Sequence, residues 1–553
     1  MASVEKESSP GLASTEPSTS ALTPLRIKVF RNLWLANLVS NLGTWMQDVS
    51  AGWLMTTLAP DPFMVSLVQV SWVLPAFLLT LPAGALADIV DRRAYMLAAI
   101  LWMTTMAGIL GALTVTGQIT PWLLIAFTFA LGIGMALMWP AFSALVPDLV
   151  PRHELVAAVT INSIAMNLTR AIGPAIAGVL IALSGPGPVF ILNAVSFAGI
   201  FIVIFRYRSM QPRSTLPSER FVGALRSGFG FARQSPALQT VIVRGLAFFT
   251  SMSGMFAFLP LIVREEVGAG PQTYGWLVTS MGAGAVLTGL LLARIRSRFT
   301  NDRVLGAGTL VAAAMLFGLA NIRTPMLLAG VMFLTGAAWI SVVSTLQVSA
   351  QLSLPAWVRA RGLAVYIATF MGSMAIGSAT WGWLASATST TTALTAAAVF
   401  CLLAGWIASR WRLADHTDID RSLAQPLSEP SLTSDRAHDG PVMVNIEYCI
   451  EPADRTAFEA AMRDVRRMRL RNGASAWGLY RDTDDELRYV ESFIDLTWLD
   501  HLRRAERITV EDLEFKRVAD AYHRSSTPPK VHHYIARGAP KRRRYWLTGK
   551  LSD

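Results

Sequence analysis

The stretch LPAGALADIVDRR, Leu81–Arg93, places a charged turn directly after an apolar run. Asp88, Asp91, Arg92 and Arg93 follow one another within a few positions. Apolar segments lie on both sides of this turn, and each has the roughly 20 residues that cross about 30 Å of hydrocarbon. The stretch therefore predicts a short polar loop between two membrane-spanning helices.

The composition of the 553-residue chain also favours a membrane protein. Hydrophobic residues make up 53% and charged residues 15%, the mean hydropathy is +0.43, and a soluble domain carries about 25% charged residues. The two cysteines, Cys401 and Cys449, exclude a disulfide framework and fit no metal-binding spacing. The net charge of +11 is assigned to membrane orientation rather than to nucleic acid, because the arginines lie in short loops between apolar segments.

Twelve apolar segments predict twelve membrane spans. They lie at 32–58, 65–87, 94–116, 121–147, 155–184, 187–205, 237–263, 273–293, 303–321, 326–350, 360–387 and 391–410. Loops on one side collect most of the arginines, and only Arg264 and Arg323 fall on the other side. Positive charge marks the cytoplasmic side, so we expect a multi-pass protein of the cytoplasmic or inner membrane with both termini in the cytoplasm.

The spans form two related halves of six. A shift of about 204 residues matches Gly132 with Gly336 and Pro151 with Pro355, a weak repeat typical of two-bundle transporters. The predicted organisation is a disordered cytoplasmic leader at 1–24, an N-terminal six-helix bundle at 25–206, a cytoplasmic connector at 207–236, a C-terminal six-helix bundle at 237–412, a linker at 413–440, a cytoplasmic soluble domain at 441–537 and a basic tail at 538–553.

The soluble domain has the pattern of an α+β fold. Strand, helix, two strands, helix and strand follow in order, which is the ferredoxin-like arrangement. One face of such a sheet stays open, so a second copy could cover it and dimerisation is one expected interaction. Its histidines show no metal spacing and no nucleophile with a base, so we predict no metal, no cofactor and no enzymatic activity. A regulatory, ligand-sensing or dimerising role is favoured.

The charged turn closely resembles the signature loop of the major facilitator superfamily, Gly-x-Leu-Ala-Asp-Arg-x-Gly-Arg-Arg. The matching residues are Gly84, Leu86, Ala87, Asp88, Arg92 and Arg93, whereas Ile89 and Asp91 replace an Arg and a Gly. With NLGTWMQDVSAGWLM, LTRAIGPAIAGVL and WLDHLRRAERIT, the chain is similar to the transmembrane secretion effector branch, related to enterobactin-type exporters. The resemblance implies that the loop latches one conformation. On composition alone, a loop that only sets orientation is an equal alternative.

A polar stripe on the first span marks a candidate cavity. Asn37, Asn41, Thr44 and Asp48 share one helical face, which should look into the bundle. Asp48 and Arg170 lie at similar depth, roughly 23 Å into spans that run in the same direction. The resemblance makes these spans neighbours, so we predict an Asp48–Arg170 pair. It is either a static ion pair or a titrating pair that couples protons to transport.

Further candidate residues lie in spans four, five, seven and ten. The segment after Arg170 resembles the antiporter signature of superfamily exporters, through Gly173, Pro174 and Gly178. Aromatic and methionine side chains would suit a large apolar ligand, although such residues also pack helices or face lipid. The candidates for the cavity are Trp139, Arg244, Trp339 and Gln347, with Arg244 either an anion contact or a side chain that snorkels to the surface.

We therefore predict a secondary transporter that exports a small organic compound, siderophore-like or amphipathic and drug-like, in exchange for protons. No phosphate-binding loop is present in the sequence to suggest ATP as the energy source. The expected partners are the small-molecule substrate, protons and the lipid bilayer. Uptake by the same fold, and a ligand-sensing or assembly role through the C-terminal domain, are the alternatives.

Overall fold

The computed structural model describes residues 23–151, 154–206, 228, 230–355, 357–413 and 439–536. The predictions for the leader, most of the connector, the linker and the basic tail fall outside these residues. The predictions for the two bundles and the soluble domain fall within the described residues.

Twelve long helices make up the membrane part of the described chain. Each predicted span coincides with one of them to within a few residues, and α2 to α12 are each long and apolar enough to cross a membrane. The more polar α1 has 31 residues. The helices are α1 Lys28–Leu58, α2 Pro62–Ile89, α3 Arg92–Val115, α4 Pro121–Leu149, α5 Leu155–Ser184, α6 Pro186–Arg206, α7 Pro236–Leu261, α8 Pro271–Arg298, α9 Asn301–Asn321, α10 Pro325–Leu352, α11 Arg359–Ala387 and α12 Thr390–Ala408.

Proline fixes where many of these helices begin. Its ring sets φ near −65°, and its missing N–H would be unpaired in the first turn anyway. Serine and threonine add caps, as where the Ser389 hydroxyl accepts a hydrogen bond from the Thr392 N–H at 3.1 Å. The helices that begin at a proline are α2, α4, α6, α7, α8 and α10.

The two halves repeat one close helix contact. A Cβ at Gly132 of α4 would lie 2.9 Å from the Trp72 carbonyl oxygen of α2. A Cβ at Gly336 of α10 would lie 3.0 Å from the Ala285 nitrogen of α8. Glycine therefore lets the fourth helix of each half approach the second. The residues that the sequence shift relates make equivalent contacts.

The C-terminal domain is an antiparallel α+β fold with strand order β2-β3-β1-β4, the arrangement that the sequence predicts. One predicted helix is in fact two, α14 and α15. The Thr509 hydroxyl accepts from the Asp512 N–H at 3.2 Å while the Asp512 carboxylate accepts from the Thr509 N–H at 3.0 Å, a capping box that starts a new helix. The elements are β1 Val442–Cys449, α13 Arg455–Arg471, β2 Ala476–Arg481, β3 Arg488–Asp495, α14 Trp498–Glu506, α15 Val510–Asp520 and β4 Lys530–Ile535.

Two arginines buried in this domain each have a carboxylate partner. Arg469 Nε donates to Glu491 Oε1 at 2.9 Å, and Arg504 Nε donates to Asp495 Oδ2 at 3.0 Å. His501 Nδ1 lies 2.8 Å from Asp495 Oδ2. Burial alone would raise the pKa of Asp495, but the hydrogen bond with His501 and the charge of Arg504 outweigh burial and lower that pKa below its ordinary value.

The C-terminal domain contacts the membrane part through two arginines. The Arg507 guanidinium carbon lies 4.5 Å from the Trp357 ring centroid, and that of Arg471 lies 5.8 Å from the Phe231 ring centroid. The two rings pack edge to face with centroids 5.9 Å apart. Phe231 lies shortly before α7 and Trp357 shortly before α11, so the domain touches the entry to two helices of the second half.

Candidate substrate and proton site

Arg170 lies in the middle of α5, between the two halves. Its guanidinium carbon is 5.5 Å from the Trp45 ring centroid of α1 and 5.8 Å from the Trp339 ring centroid of α10. Such cation–π contacts are worth about 2 kcal/mol when desolvated. Because Trp45 belongs to the first half and Trp339 to the second, this cation contacts both halves at once.

Asp48 lies three residues after Trp45 on α1 and one helical turn before Gly52. A Cβ at Gly52 would lie 3.5 Å from the Tyr274 hydroxyl. Asp48 is half-buried. Among the described residues, no Lys, Arg or His nitrogen lies within 4.0 Å of its carboxylate oxygens.

The predicted Asp48–Arg170 pair is not formed in this conformation. Both residues are described, and no ion pair or hydrogen bond joins them. Similar depth along two helices does not by itself bring two side chains within the distance of an ion pair. Arg170 contacts the two tryptophans instead, and the first-half partner, Trp45, follows Thr44 of the predicted polar stripe.

Some residues of the polar stripe of α1 lie toward the cavity, and others pack inside the first half. Asn37 is buried, Asn41 is half-buried, and the Thr44 hydroxyl donates to a backbone carbonyl one turn earlier at 2.9 Å. The sequence analysis missed Gln47, whose Oε1 accepts from the buried Asn193 of α6 at 2.5 Å. A lone asparagine inside the apolar α6 was the available signal.

The antiporter-like motif packs α5 against two neighbours. A Cβ at Gly173 would lie 2.8 Å from the Trp45 Cβ, and one at Gly178 would lie 2.7 Å from the Pro271 carbonyl oxygen of α8. Pro174 lies inside α5. Gly173 therefore lets Trp45 approach the helix that carries Arg170, while a role in antiport stays a prediction.

Trp339 forms the centre of an aromatic cluster in the second half. Its ring centroid lies 5.1 Å from that of Phe256, 6.0 Å from that of Phe249 and 6.1 Å from that of Phe370. Trp339 is 5% exposed, so this cluster holds the indole beside Arg170. A contact with substrate stays a prediction.

Two further cavity candidates, Arg244 and Gln347, have no described contact with Arg170. Arg244 lies 2.9 Å from Asp302 and its Nε donates to the Trp411 carbonyl at 2.9 Å, at the end of the bundle. Because Asp302 already pairs with Arg244, the structure favours a side chain that snorkels to the surface over a contact with an anionic substrate. Gln347 is exposed, and the side chain of Trp139 lies outside what the structure describes.

The signature loop caps one helix and joins it to another. Asp91 Oδ1 accepts from the Ala94 N–H at 2.7 Å and so caps α3. Arg93 Nε donates to the Ile204 carbonyl of α6 at 3.3 Å. The side chains of Gly84, Asp88 and Arg92 are outside the described set, so the latch stays a prediction.

Polar and aromatic contacts join the halves on the arginine-poor side, where Arg264 and Arg323 lie. The Ser386 hydroxyl donates to Asp61 Oδ1 at 2.7 Å. The Trp53 and Tyr274 rings stack at 6.2 Å, and the Arg264 guanidinium carbon lies 5.6 Å from the Trp53 centroid. The Phe63 N–H donates to the Ser386 hydroxyl at 2.9 Å, and Arg264 donates to Thr56 and Thr57 of the first half. We call this group the arginine-poor closure, and the sequence analysis missed it.

Comparison with known proteins identifies the family. A model of the transmembrane secretion effector family matches residues 19–541. The chain belongs to this family of major facilitator transporters. As the sequence analysis predicts, it is a multi-pass membrane transporter and not an enzyme. No cluster of metal-ligating side chains occurs in the described ranges.

The relatives of this transporter include proteins named for siderophore transport and drug efflux. The uncharacterized MFS-type transporter YfiS of Bacillus subtilis is 27% identical over 59% of this chain and 81% of its own length. The staphyloferrin A transporter of Staphylococcus aureus is 23% identical over 46% of this chain and 64% of its own. Macrolide efflux protein A of Streptococcus pyogenes is 23% identical over 48% of this chain and 65% of its own.

A solved structure shares the transporter's fold. The bacterial homolog of the human lysosomal transporter Spinster, in an inward-facing and unoccupied conformation, has a TM-score of 0.56. The match covers 70% of this chain and 98% of that chain at 15% identity. At this identity the likeness shows the fold alone, and it confirms the predicted two-bundle architecture.

Proposed function

We propose that the transporter exports a small organic anion, siderophore-like or amphipathic and drug-like, in exchange for protons. The observation that carries this proposal is Arg170, which contacts a tryptophan of each half and has no carboxylate partner among the described residues. An acidic group of a substrate would pair with the guanidinium. An apolar or aromatic part would pack on Trp45 and Trp339. The name of the staphyloferrin A relative supports a siderophore-like substrate, and the name of the macrolide efflux relative supports export of a drug-like compound.

Alternating access would move the substrate past the arginine-poor closure. If the arginine-rich side is cytoplasmic, as the positive-inside rule indicates, the closure separates the Arg170 site from the outside. Opening would break the contacts of Ser386 with Asp61 and of Trp53 with Tyr274. Asp48 lies between the site and Tyr274, where it would take up a proton from outside. An ionised carboxylate without a partner is costly in the membrane, which favours uptake of that proton by Asp48.

Proton release from acid-loaded inside-out vesicles tests export directly. A panel of siderophores and lipophilic anions should trigger release in vesicles that contain the parent protein. Arg170→Gln should abolish the response. Arg410→Gln should keep it, because Arg410 lies 4.6 Å from the Trp406 ring but at the end of α12, away from the halves' interface.

Two results would contradict the proposed export. One is a parent protein that responds to no member of the panel. The other is accumulation of a compound in right-side-out vesicles under an inward proton gradient, which would establish uptake instead.

A second candidate function is regulation of transport by the C-terminal domain. The contacts of Arg507 with Trp357 and of Arg471 with Phe231 support it, because α11 and α7 begin shortly after those rings. Arg507→Ala should loosen the domain and raise the transport rate about threefold, in line with the 0.5–1 kcal/mol of an exposed cation–π contact. An unchanged rate, with the variant domain still folded, would contradict regulation through this contact.

We further propose that the open sheet face of this domain pairs with a second copy. Met443, Tyr480 and Tyr534 of that face are 37%, 61% and 48% exposed, and exposed apolar side chains grouped on one face are typical of an interaction surface. Cross-linking of the purified protein should trap a dimer, and Tyr534→Glu should reduce it. A monomer at all concentrations would contradict the proposal.

A further inference from the structure

A cleft lined by arginines opens in the C-terminal domain between α13 and the edge strand β2. Its volume is about 610 Å³, within the range of small-molecule sites. Three of its arginines lie along one stripe of α13 and the fourth ends β2. These residues, Arg455, Arg463, Arg466 and Arg481, define what we call the basic cleft.

The positive charge of the basic cleft is not neutralised. One acidic side chain, Glu459, lines it, and within the described residues no carboxylate forms an ion pair with any of the four arginines. Arg455 Nε is buried without a hydrogen-bond partner. The nearby Asp464 is taken by Arg467, at 2.6 Å. The cleft therefore carries net positive charge that an anion would balance.

An aromatic wall faces these arginines. Trp477 and Tyr489 line the cleft, and the Trp477 indole N–H donates to Glu491 Oε1 at 3.0 Å. Arg469 holds the same carboxylate at 2.9 Å. Because Glu491 is fully buried and paired, it fixes the plane of the indole. Such a wall suits a flat ring, and guanidinium groups suit carboxylate or phosphate.

We propose that the basic cleft binds a small organic anion with an aromatic ring, its carboxylate or phosphate on the arginines and its ring against Trp477. The ligand would be sensed from the arginine-rich side of the membrane. Helix α13 carries three of the cleft arginines and ends at Arg471, which contacts Phe231. This inference deepens the proposed regulation, and only the link from binding to transport rests on that proposal.

Calorimetric titration of the purified full chain tests the cleft. The probes are 2-naphthoate and 1-naphthyl phosphate, with the neutral 2-naphthamide for comparison. At least one anion should bind saturably, and the tighter one identifies the acidic group. Arg463→Ala with Arg466→Ala should raise its Kd by about tenfold or more, since the variant removes charge-assisted hydrogen bonds to the anion, which are stronger than neutral ones.

Arg467→Ala is the matched control. It removes an exposed arginine from the same helix, but Arg467 lies outside the cleft and pairs with Asp464, so the Kd should not change. Arg481→Gln, on the strand, repeats the test if the double variant does not fold. Equal binding of the amide, no saturable binding of either anion, or parent affinity in folded cleft variants would overturn the proposal. Binding is measured apart from transport, so its failure is distinguishable from a failure of regulation.

Discussion

Arg469 of the C-terminal domain and Arg170 of the membrane part are both withdrawn from bulk water, but their surroundings differ. Arg469 makes two hydrogen bonds to Glu491, at 2.9 and 3.3 Å. Arg170 lies over two indole rings, and no described carboxylate pairs with it. Glu491 neutralises the charge of Arg469 within the fold. In the proposed function, the charge of Arg170 pairs with an acidic group of the substrate.

The carboxylates of the two regions differ in the same way. Asp495 is held by Arg504 and His501 in the domain, whereas Asp48 in α1 has no cation partner among the described residues. A paired buried charge maintains one structure, because removal of a partner leaves the other unpaired. In the proposed mechanism, the unpaired carboxylate of Asp48 exchanges a proton instead.

The largest effect should follow from breaking a paired charge. Glu491→Gln keeps the shape of the side chain but leaves Arg469 without a counter-charge, so the C-terminal domain should lose about 3–5 kcal/mol of unfolding free energy. Arg467→Ala is the control, because its pair with Asp464 is exposed and worth less than about 1 kcal/mol. Calorimetry of the full chain measures both. Equal losses of unfolding free energy in the two variants would contradict the difference between buried and exposed ion pairs.

Acidification should weaken the same domain by a smaller amount. His501 and Arg504 lower the folded-state pKa of Asp495 against the effect of burial. As pH falls, Asp495 therefore binds a proton in the unfolded chain before it does so in the folded chain. The stabilisation is present above the ordinary aspartate pKa of about 4 and is lost as pH falls through the folded-state pKa. Melting temperatures between pH 6 and pH 3, for the parent and Asp495→Asn, measure this. The same dependence of melting temperature on pH in the parent and in the variant would contradict this prediction.

Within the membrane, the proposed substrate packs on the Trp339 indole, and an aromatic contact contributes about 0.5–1.5 kcal/mol. Trp339→Leu should therefore raise the substrate concentration for half-maximal transport by up to about tenfold. Trp406→Leu removes a comparable contact with Arg410, 4.6 Å away at the end of α12, and should leave transport unchanged. If the two variants behave alike, the position of Arg170 between the halves has no special role.

The smallest effect concerns the arginine-poor closure. Ser386→Ala removes hydrogen bonds to Asp61 and from the Phe63 N–H, worth about 1 kcal/mol, so the open state should gain about fivefold in population. Labelling of Gly52→Cys, beneath Tyr274, by an impermeant thiol reagent in a background without Cys401 and Cys449 measures this. Unchanged labelling would show that the hydroxyl does not hold the closure.

The sequence predicted the elements of the fold better than their contacts. The length of the apolar segments and the arginine-containing loops predicted twelve spans. The alternation of apolar and polar residues predicted the strands of the C-terminal domain, and the order of strands and helices along the chain predicted its ferredoxin-like arrangement. The break between α14 and α15 was missed although Thr509 and Asp512 carry the capping-box spacing. That signal is local and was available in the sequence.

The depth of the site was predicted, but its contacts were not. The polar stripe of α1 and the depth of Arg170 follow from residue counts, yet the packing of the helices decides that Arg170 contacts Trp45. Trp339 was a candidate only for its size. Ser386 meets Asp61 through the packing of α11 against α2, and neither residue has a sequence pattern that marks such a contact.

One comparison of two variants tests the central claim most directly. Asp48→Asn and Glu491→Gln each remove one negative charge with little change in shape, one from the interface of the halves and one from the C-terminal domain. We would measure substrate-driven proton flux in vesicles that contain equal amounts of each protein. We predict that Asp48→Asn abolishes the flux while the domain melts as in the parent, and that Glu491→Gln lowers the melting temperature but keeps the flux. Parent-level flux in Asp48→Asn would contradict a role for the unpaired carboxylate in coupling.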